Sequence, residues 1–270
     1  MNTKTDTSAA LAPALVTGGE SGIGRATALA LGRAGHPVTL TYFADETAAA
    51  AVVAEIAAGG GAALSHQCDV GDEVAVEALF AGAEAAHGPT RLLVNSAGLN
   101  MSGIYLKDMS LAQFDRVIRA DLYGPFLTCR RFVRGLGEGV PGSADPATGA
   151  RIVNVSSIHE RAPRPGGVDY DSAKGGLAQL TATLALELAP RRIAVNGVAP
   201  GMILTPMNQS ALDHPDELRN KEAAIPWGRA GTAEEVAALI AFLLSPAADY
   251  ITGTTVTIDG ALSLTVAQGA

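Results

Sequence analysis

Residues 14–35 read ALVTGGESGIGRATALALGRAG. Ala14, Leu15 and Val16 form a short apolar run of strand type, and Gly18, Gly22 and Gly24 then open a helical pattern whose face carries Ala26, Leu29, Ala30 and Arg33. Such a turn presents bare backbone amides. A pyrophosphate can approach it closely, and the helix N-terminus adds unpaired N–H groups and a favourable dipole. The spacing is G-x-x-x-G-x-G, not the strict G-x-G-x-x-G fingerprint, and an ordinary strand-to-helix turn is the competing explanation. Its placement between a strand and a helix favours the anion site.

Working outward, strands are expected at 14–17, 37–43, 62–67, 91–96, 151–156, 192–198 and 255–258, and helices at 22–34, 46–58, 72–87, 110–135, 169–189 and 233–245. Alternation of this kind implies an α/β fold, a doubly wound parallel sheet of about seven strands with right-handed crossovers. A chain of 270 residues is the size of one such domain. Residues 1–12 read as a frayed lead-in without a secretory signal core, and 135–150 as an exposed loop rich in glycine, proline and small residues. Ligands of such sheets gather beyond the strand C-termini, and Gly18, Asp69, Asn95, Ser157 and Pro200 all fall there.

Tyr170 and Lys174 stand one helical turn apart in VDYDSAKGGLAQLTATLALEL, where Leu177, Leu180, Leu184 and Leu188 mark the apolar face. A phenol is a poor base at neutral pH, but a neighbouring ammonium favours the phenolate. Tyr170 is therefore a candidate general acid/base. Ser157, at the end of the RIVNVS strand, can donate to an oxygen that gains negative charge. Taken singly, a surface Tyr-Lys pair or a strand-end serine is unremarkable, and it is the glycine turn that draws them into one site.

A net charge of −8 argues against nucleic acid or an anionic membrane as partner. The late apolar run 236–244 is far short of the ~20 residues of a spanning helix, so a cytoplasmic protein is expected. Cys68 and Cys129 read as reduced core thiols, not a disulfide framework, and five scattered histidines give no case for a metal site.

With these motifs in order, the chain resembles the classical short-chain dehydrogenase/reductase family from about Leu15 to Leu264. Quoted for the match are the turn Thr17 to Gly24, Asp69 in QCDV, Asn95-Ser96-Ala97-Gly98, Ser157 thirteen residues before Tyr170, Tyr170 with Lys174, and Pro200-Gly201-Met202-Ile203-Leu204-Thr205. The resemblance implies a Rossmann-type fold, a nicotinamide cofactor and a homotetramer built partly through the helices at 110–135 and 169–189. It also implies catalysis by Ser157, Tyr170 and Lys174. By the same resemblance the cofactor is held by Thr17, Gly18, Ser21, Gly22, Ile23, Gly24 and Tyr42, then by Asp69, Val70, Asn95, Ala97 and Gly98. Tyr170, Lys174, Pro200, Gly201, Ile203 and Thr205 complete the implied set. Two departures stand out. The usual N-N-A-G is N-S-A-G, and the fourth catalytic position, usually Asn, is Asp121 in DLYGPF. In the family that residue acts largely through a main-chain carbonyl that holds a water beside the lysine, so Asp121 can still complete a relay.

Cofactor choice stays open. The family's ribose-binding acid position holds Tyr42, no cation follows it, Ser21 fills a site that is often basic in NADP users, and Asp45 weakly favours NAD. Tolerance of both NAD and NADP is expected. Ser156-Ser157-Ile158-His159-Glu160 and Thr205-Pro206-Met207-Asn208 are similar to bacterial glucose 1-dehydrogenases and related aldose 1-dehydrogenases. His159, Glu160 and Asn208 are then candidates to bond sugar hydroxyls, although His159 and Glu160 could equally pack or bridge subunits. Residues 202–230 correspond to the family's substrate lid, with Met207, Leu212, Leu218 and Trp227 as lining or as ordinary helix packing. The expected reaction is hydride transfer at a carbinol carbon, an aldose going to its lactone. A ketone or 3-oxoacyl reductase is the alternative within the family, and a catalytically silent nicotinamide-binding regulator the alternative outside it.

Overall fold

All four residues of β1 (Ala14–Thr17) are buried, as are those of β2 (Val38–Tyr42), β4 (Leu92–Asn95), β5 (Arg151–Val155) and β6 (Ala194–Pro200). Strands covered on both faces need no polar alternation, which is why they appear in the sequence as mostly apolar short runs, with Thr39, Thr41, Asn154 and Asn196 buried among them. In the computed structural model, which describes residues 11–100, 102–138, 149–208 and 214–267, they join β3 (Ala63–Gln67) and β9 (Thr255–Ile258) in one seven-stranded sheet. The order is β3-β2-β1-β4-β5-β6-β9 and every pairing is parallel. The order reverses between β1 and β4, so a crevice opens beyond their C-termini.

Successive side chains of β1 enter opposite layers. Val16 joins Leu40, Val94, Val153 and Val198 under α1 (Gly22–Arg33) and α2 (Glu46–Ala58), whereas Leu15 joins Leu93, Ile152 and Val195 under α3 (Glu73–His87). The second layer takes Val76, Leu79 and Phe80 from α3 and Phe132 from the helix that follows β4.

The expected single helix at 110–135 is interrupted. It forms as α4 (Leu111–Ile118), a π-helical turn (Arg119–Tyr123) and α5 (Gly124–Gly135). Pro125 explains the break, because it has no N–H to give the carbonyl of residue 121 and its ring would crowd that carbonyl. The Gly124 N–H reaches back to the Arg119 carbonyl, one residue further than in an α-helix. Gly124 also lets this corner approach the sheet, since a Cβ there would lie 2.7 Å from Val70.

The remaining α-helices among the described residues are α6 (Val168–Leu188), α7 (Pro215–Ala223) and α8 (Ala233–Leu244). Sequence periodicity does not reveal α7, and a two-residue ladder of β7 (Ile203–Leu204) with β8 (Gly231–Thr232) is equally silent. Strand β6 runs to Pro200, two residues beyond its expected end, because β9 pairs with it up to Ile258. Most of the 135–150 loop and Leu212 lie outside the described residues. No described helix is long and apolar enough to cross a membrane.

Candidate active site

Beyond the ends of β1 and β4 lies a crevice of about 600 Å³. Its floor at one end is the glycine turn. Gly18 has φ +62°, and a Cβ there would stand 2.8 Å from the Ala97 Cα. A Cβ on Gly24 would stand 2.0 Å from the Gly18 carbonyl oxygen. Neither position tolerates a side chain, so backbone and not side chains faces the crevice here. The Gly18 N–H donates to Thr41 Oγ1 at 3.0 Å and the Gly19 N–H to the Thr41 carbonyl at 2.9 Å, which ties the turn to β2. Ser21 precedes α1 without a side-chain cap, so the first amides of that helix point outward. A turn of this shape matches a dinucleotide pyrophosphate.

Of the residues singled out for the cofactor, Gly18, Ser21, Gly22, Ile23, Asp69, Val70, Ala97, Gly98, Pro200, Gly201, Ile203 and Thr205 all line the crevice, with Thr205 against the glycine turn, where a Cβ on Gly22 would lie 3.3 Å from it. Thr17, Gly24, Tyr42 and Asn95 stand behind this lining. Thr17 Oγ1 accepts from the Ser96 and Ala97 N–H groups, each at 3.0 Å, and holds the N-S-A-G segment against β1. Asn95 is bound inward to Asn154 at 2.9 Å and to Thr128 at 2.7 Å. These side chains shape the crevice without facing it.

The opposite end holds Ser157, Tyr170, Lys174 and Asp121, all lining the crevice and all buried. Ser157 caps the 3-10 turn Ile158–Glu160, its Oγ accepting from the His159 N–H at 3.2 Å, which leaves the hydroxyl hydrogen to donate. The Lys174 Nζ is 5.3 Å from the centre of the Tyr170 ring, donates to the Val155 carbonyl at 3.2 Å, and stands 3.0 Å from Asp121 Oδ2. Asp121 Oδ1 accepts from the Leu99 N–H at 2.7 Å. Gly98 makes room for this carboxylate, since a Cβ there would lie 2.9 Å from Oδ2.

Burial alone would push the Lys174 ammonium down, but the Asp121 carboxylate and then the Tyr170 phenol outweigh it and hold the group above its ordinary value. Burial holds the Asp121 carboxyl up, against the opposing pull of Lys174 and the Leu99 N–H. The sequence could place Asp121 near the lysine only by resemblance. The π turn explains how its side chain, not only its carbonyl, comes to meet Lys174.

His159 and Glu160 lie outside the lining. His159 Nδ1 is 2.7 Å from the Ala162 carbonyl oxygen and its ring stands edge-on to Tyr170 at 6.2 Å. The Glu160 side chain is 3% exposed, with Oε1 3.4 Å from Arg161 Nε. Asn208 ends the turn Pro206–Asn208, and its side chain is outside the described residues. Asp45 is engaged as the cap of α2, accepting from the Ala48 N–H at 2.9 Å.

One feature of the turn escaped sequence reasoning. Glu20 lines the crevice beside Thr41 and Phe43, and its carboxyl is held above the ordinary value by burial, with backbone N–H groups opposing and Asp45 adding to it. Its place two residues before Gly22 was the available signal. Arg25, the nearby cation in sequence, is paired with Glu55 at 2.6 Å. Among the described residues no cluster of His, Cys, Asp or Glu could hold a metal ion.

A family model described as enoyl-(acyl carrier protein) reductase matches residues 18–263. The chain is 39% identical over 251 residues to 3beta-hydroxysteroid dehydrogenase 1 of Eggerthella lenta, covering 93% of each chain. It is 35% identical over 257 residues to glucose 1-dehydrogenase 2 of Bacillus subtilis, covering 94% of this chain and 96% of that one. It is also 40% identical over 250 residues to a 3-oxoacyl-[acyl-carrier-protein] reductase of Synechocystis, covering 92% and 96%. Among solved structures, a mutant of the Serratia marcescens short-chain dehydrogenase/reductase superposes with a TM-score of 0.84 at 32% identity, covering 93% of this chain and 98% of that one.

Proposed function

The chain belongs to the classical short-chain dehydrogenase/reductase family and is an oxidoreductase acting on CH–OH or carbonyl groups, and from that premise we propose that it oxidises an aldose to its lactone. The observation that carries the hydride-transfer reading is the convergence of Ser157, Tyr170 and Lys174 on the crevice whose other end is the glycine turn. The sugar reading draws support from the Ser156–Glu160 and Thr205–Asn208 segments and from the likeness to glucose 1-dehydrogenase 2.

In this proposal Tyr170 takes the proton of the substrate hydroxyl and Ser157 donates to the same oxygen. Lys174 keeps a positive charge behind the phenol and turns its remaining N–H toward the crevice, where a nicotinamide ribose would lie. A bound nicotinamide dinucleotide supplies the hydride acceptor for oxidation and the donor for the reverse reaction. The amides of the turn and of α1 bind its pyrophosphate, Asp69 and Val70 border its adenine end, and Pro200, Gly201, Ile203 and Thr205 wall its nicotinamide end. The Glu20 carboxyl beside Thr41 and Phe43, with Arg25 already paired, supports use of NAD with NADP tolerated, while Asp45 is spent on capping α2. His159 and Glu160 contribute from behind Tyr170, and the lid of this reading comprises the described residues 202–208 and 214–230, residues 209–213 lying outside the described ones. The same reading carries a cytoplasmic homotetramer, supported by the exposed Tyr123, Phe126 and Leu186 on the α5–α6 side.

The deciding assay is near-ultraviolet detection of reduced nicotinamide, with NAD or NADP against a panel of aldoses, polyols and secondary alcohols. Rapid oxidation of an aldose is expected. Turnover of ketones or 3-oxoacyl thioesters with reduced cofactor, and inertness toward sugars, would favour the second reading, which the Synechocystis relative supports. Tyr170→Phe should lower turnover roughly 10²- to 10⁴-fold at an unchanged unfolding midpoint. Full turnover in that variant would remove Tyr170 from the chemistry.

A further inference from the structure

Asp121 is fully buried, and its charge is not needed by the relay that the family resemblance implies, which works through a main-chain carbonyl. Its side chain is nevertheless placed with care. One oxygen accepts from the Leu99 N–H at 2.7 Å and the other stands 3.0 Å from the Lys174 ammonium, in room left by Gly98. The ammonium has three hydrogens, of which the Val155 carbonyl takes one, while Asp121 Oδ2 stands 3.0 Å away as its ion-pair partner.

We propose that Asp121 is a positioning residue that acts through Lys174, pairing with it directly and thereby setting the pH range in which the enzyme oxidises its substrate. The proposal rests on the hydride-transfer reading above. An isolated ammonium beside a phenol favours loss of the phenolic proton. A carboxylate 3.0 Å from that ammonium converts the point charge into a compact dipole, whose field at Tyr170 is weaker. Asp115, Arg116 and Arg119, on α4 and the π turn, line the same crevice as the pair. Tyr170 and Asp169 lie on α6 with Lys174, and His159 lies against Tyr170 from the 3-10 turn. The segment carrying Gly98 and Leu99 adds no charge. Asp169 carries the same sign as Asp121 and so works in the same direction.

Asp121→Asn keeps the size and the acceptor for the Leu99 N–H but removes the negative charge. The acid limb of kcat for oxidation should then move to lower pH by about one unit, a tenfold change in proton concentration, with the alkaline plateau within about tenfold of the starting enzyme. Asp121→Ser, smaller and also neutral, should move it the same way, and serves if the Asn variant does not fold. A substrate-free readout separates this proposal from the choice of substrate. Ultraviolet difference titration of the phenolate, with Tyr170→Phe as the blank, should show Tyr170 ionising at lower pH in Asp121→Asn than in the starting protein. An unmoved limb and an unmoved phenolate titration in folded neutral variants would overturn the proposal, as would movement to higher pH. If no member of the substrate panel is turned over, the phenolate titration alone decides.

Discussion

Lys174–Asp121 and Arg229–Glu235 are ion pairs of similar length, 3.0 Å and 2.6 Å, in opposite surroundings. The first has side chains 6% and 0% exposed at the heart of the crevice, and the second 48% and 43% at the start of α8. Arg229 grips both oxygens of Glu235, which also closes the capping box with Thr232. Water already solvates that pair well, so it fastens a loop to a helix end and little more. The buried pair is largely shut away from bulk water. Each partner there depends on the other, and the charge it projects reaches the reacting groups. Arg151–Asp249 lies between the two, with Arg151 6% and Asp249 62% exposed.

Neutralising one partner of each pair grades the comparison. Lys174→Met strands the Asp121 carboxylate, and an unfolding midpoint in urea at pH 7 should report a loss of about 3–5 kcal/mol. Because burial holds that carboxyl above its value in the unfolded chain, protonation favours the folded variant, and the deficit should shrink as pH falls toward 5. In the starting protein the sign for Lys174 is the reverse of a depressed carboxylate. Its folded value is raised, so its contribution is fully present below the ordinary lysine value of 10.5 and is lost as pH rises through the folded value. A deficit in Lys174→Met no larger than at the exposed pair would erase the distinction.

Arg151→Met should cost about 1–2 kcal/mol, since Asp249 turns to water while the packing and hydrogen bond of the arginine are lost. The smallest effect belongs to Glu235→Gln. The Arg229 hydrogen bonds, and then the Thr232 N–H, hold the Glu235 carboxyl down at about 2, so the pair's contribution is present above the ordinary glutamate value of 4.5 and disappears as pH falls through about 2. Its thermal midpoint should differ little from the starting protein, and any difference should vanish in about 1 M salt. A salt-resistant loss there would show the exposed pair to be more than a surface clamp.

The same contrast governs what was legible in the sequence. Asp45 and Asp121 were both noted from the sequence, yet their surroundings sent them different ways. Asp45 lies beside the first turn of α2, and its carboxylate is taken by that helix as a cap, a local competition that any Asp before a helix enters. Asp121 faces inward because Pro125 forces a wider turn, and whether a lysine or a hydroxyl met it there could not be read locally. His159, chosen from the sequence for its polarity, is occupied by the carbonyl of Ala162 three residues on. The buried thiols behaved as their apolar neighbours imply. Burial, followed for Cys68 by Asp69 and Asp72, pushes Cys68 up to about 11, and burial pushes Cys129 up to about 12 against the Asn95 amide.

The chain by itself determined the alternation of strand and helix, the seven parallel strands, the glycine turn and the helical spacing of Tyr170 and Lys174, because each depends on residues near one another in sequence. Only the tertiary structure decided that Glu20 borders the crevice, that residues 215–223 form a helix, and that the carboxylate of Asp121 rests on Lys174. Those outcomes turn on contacts between distant segments and on which charges are shut away from water, and neither burial nor a through-space Coulomb interaction is written in local sequence pattern.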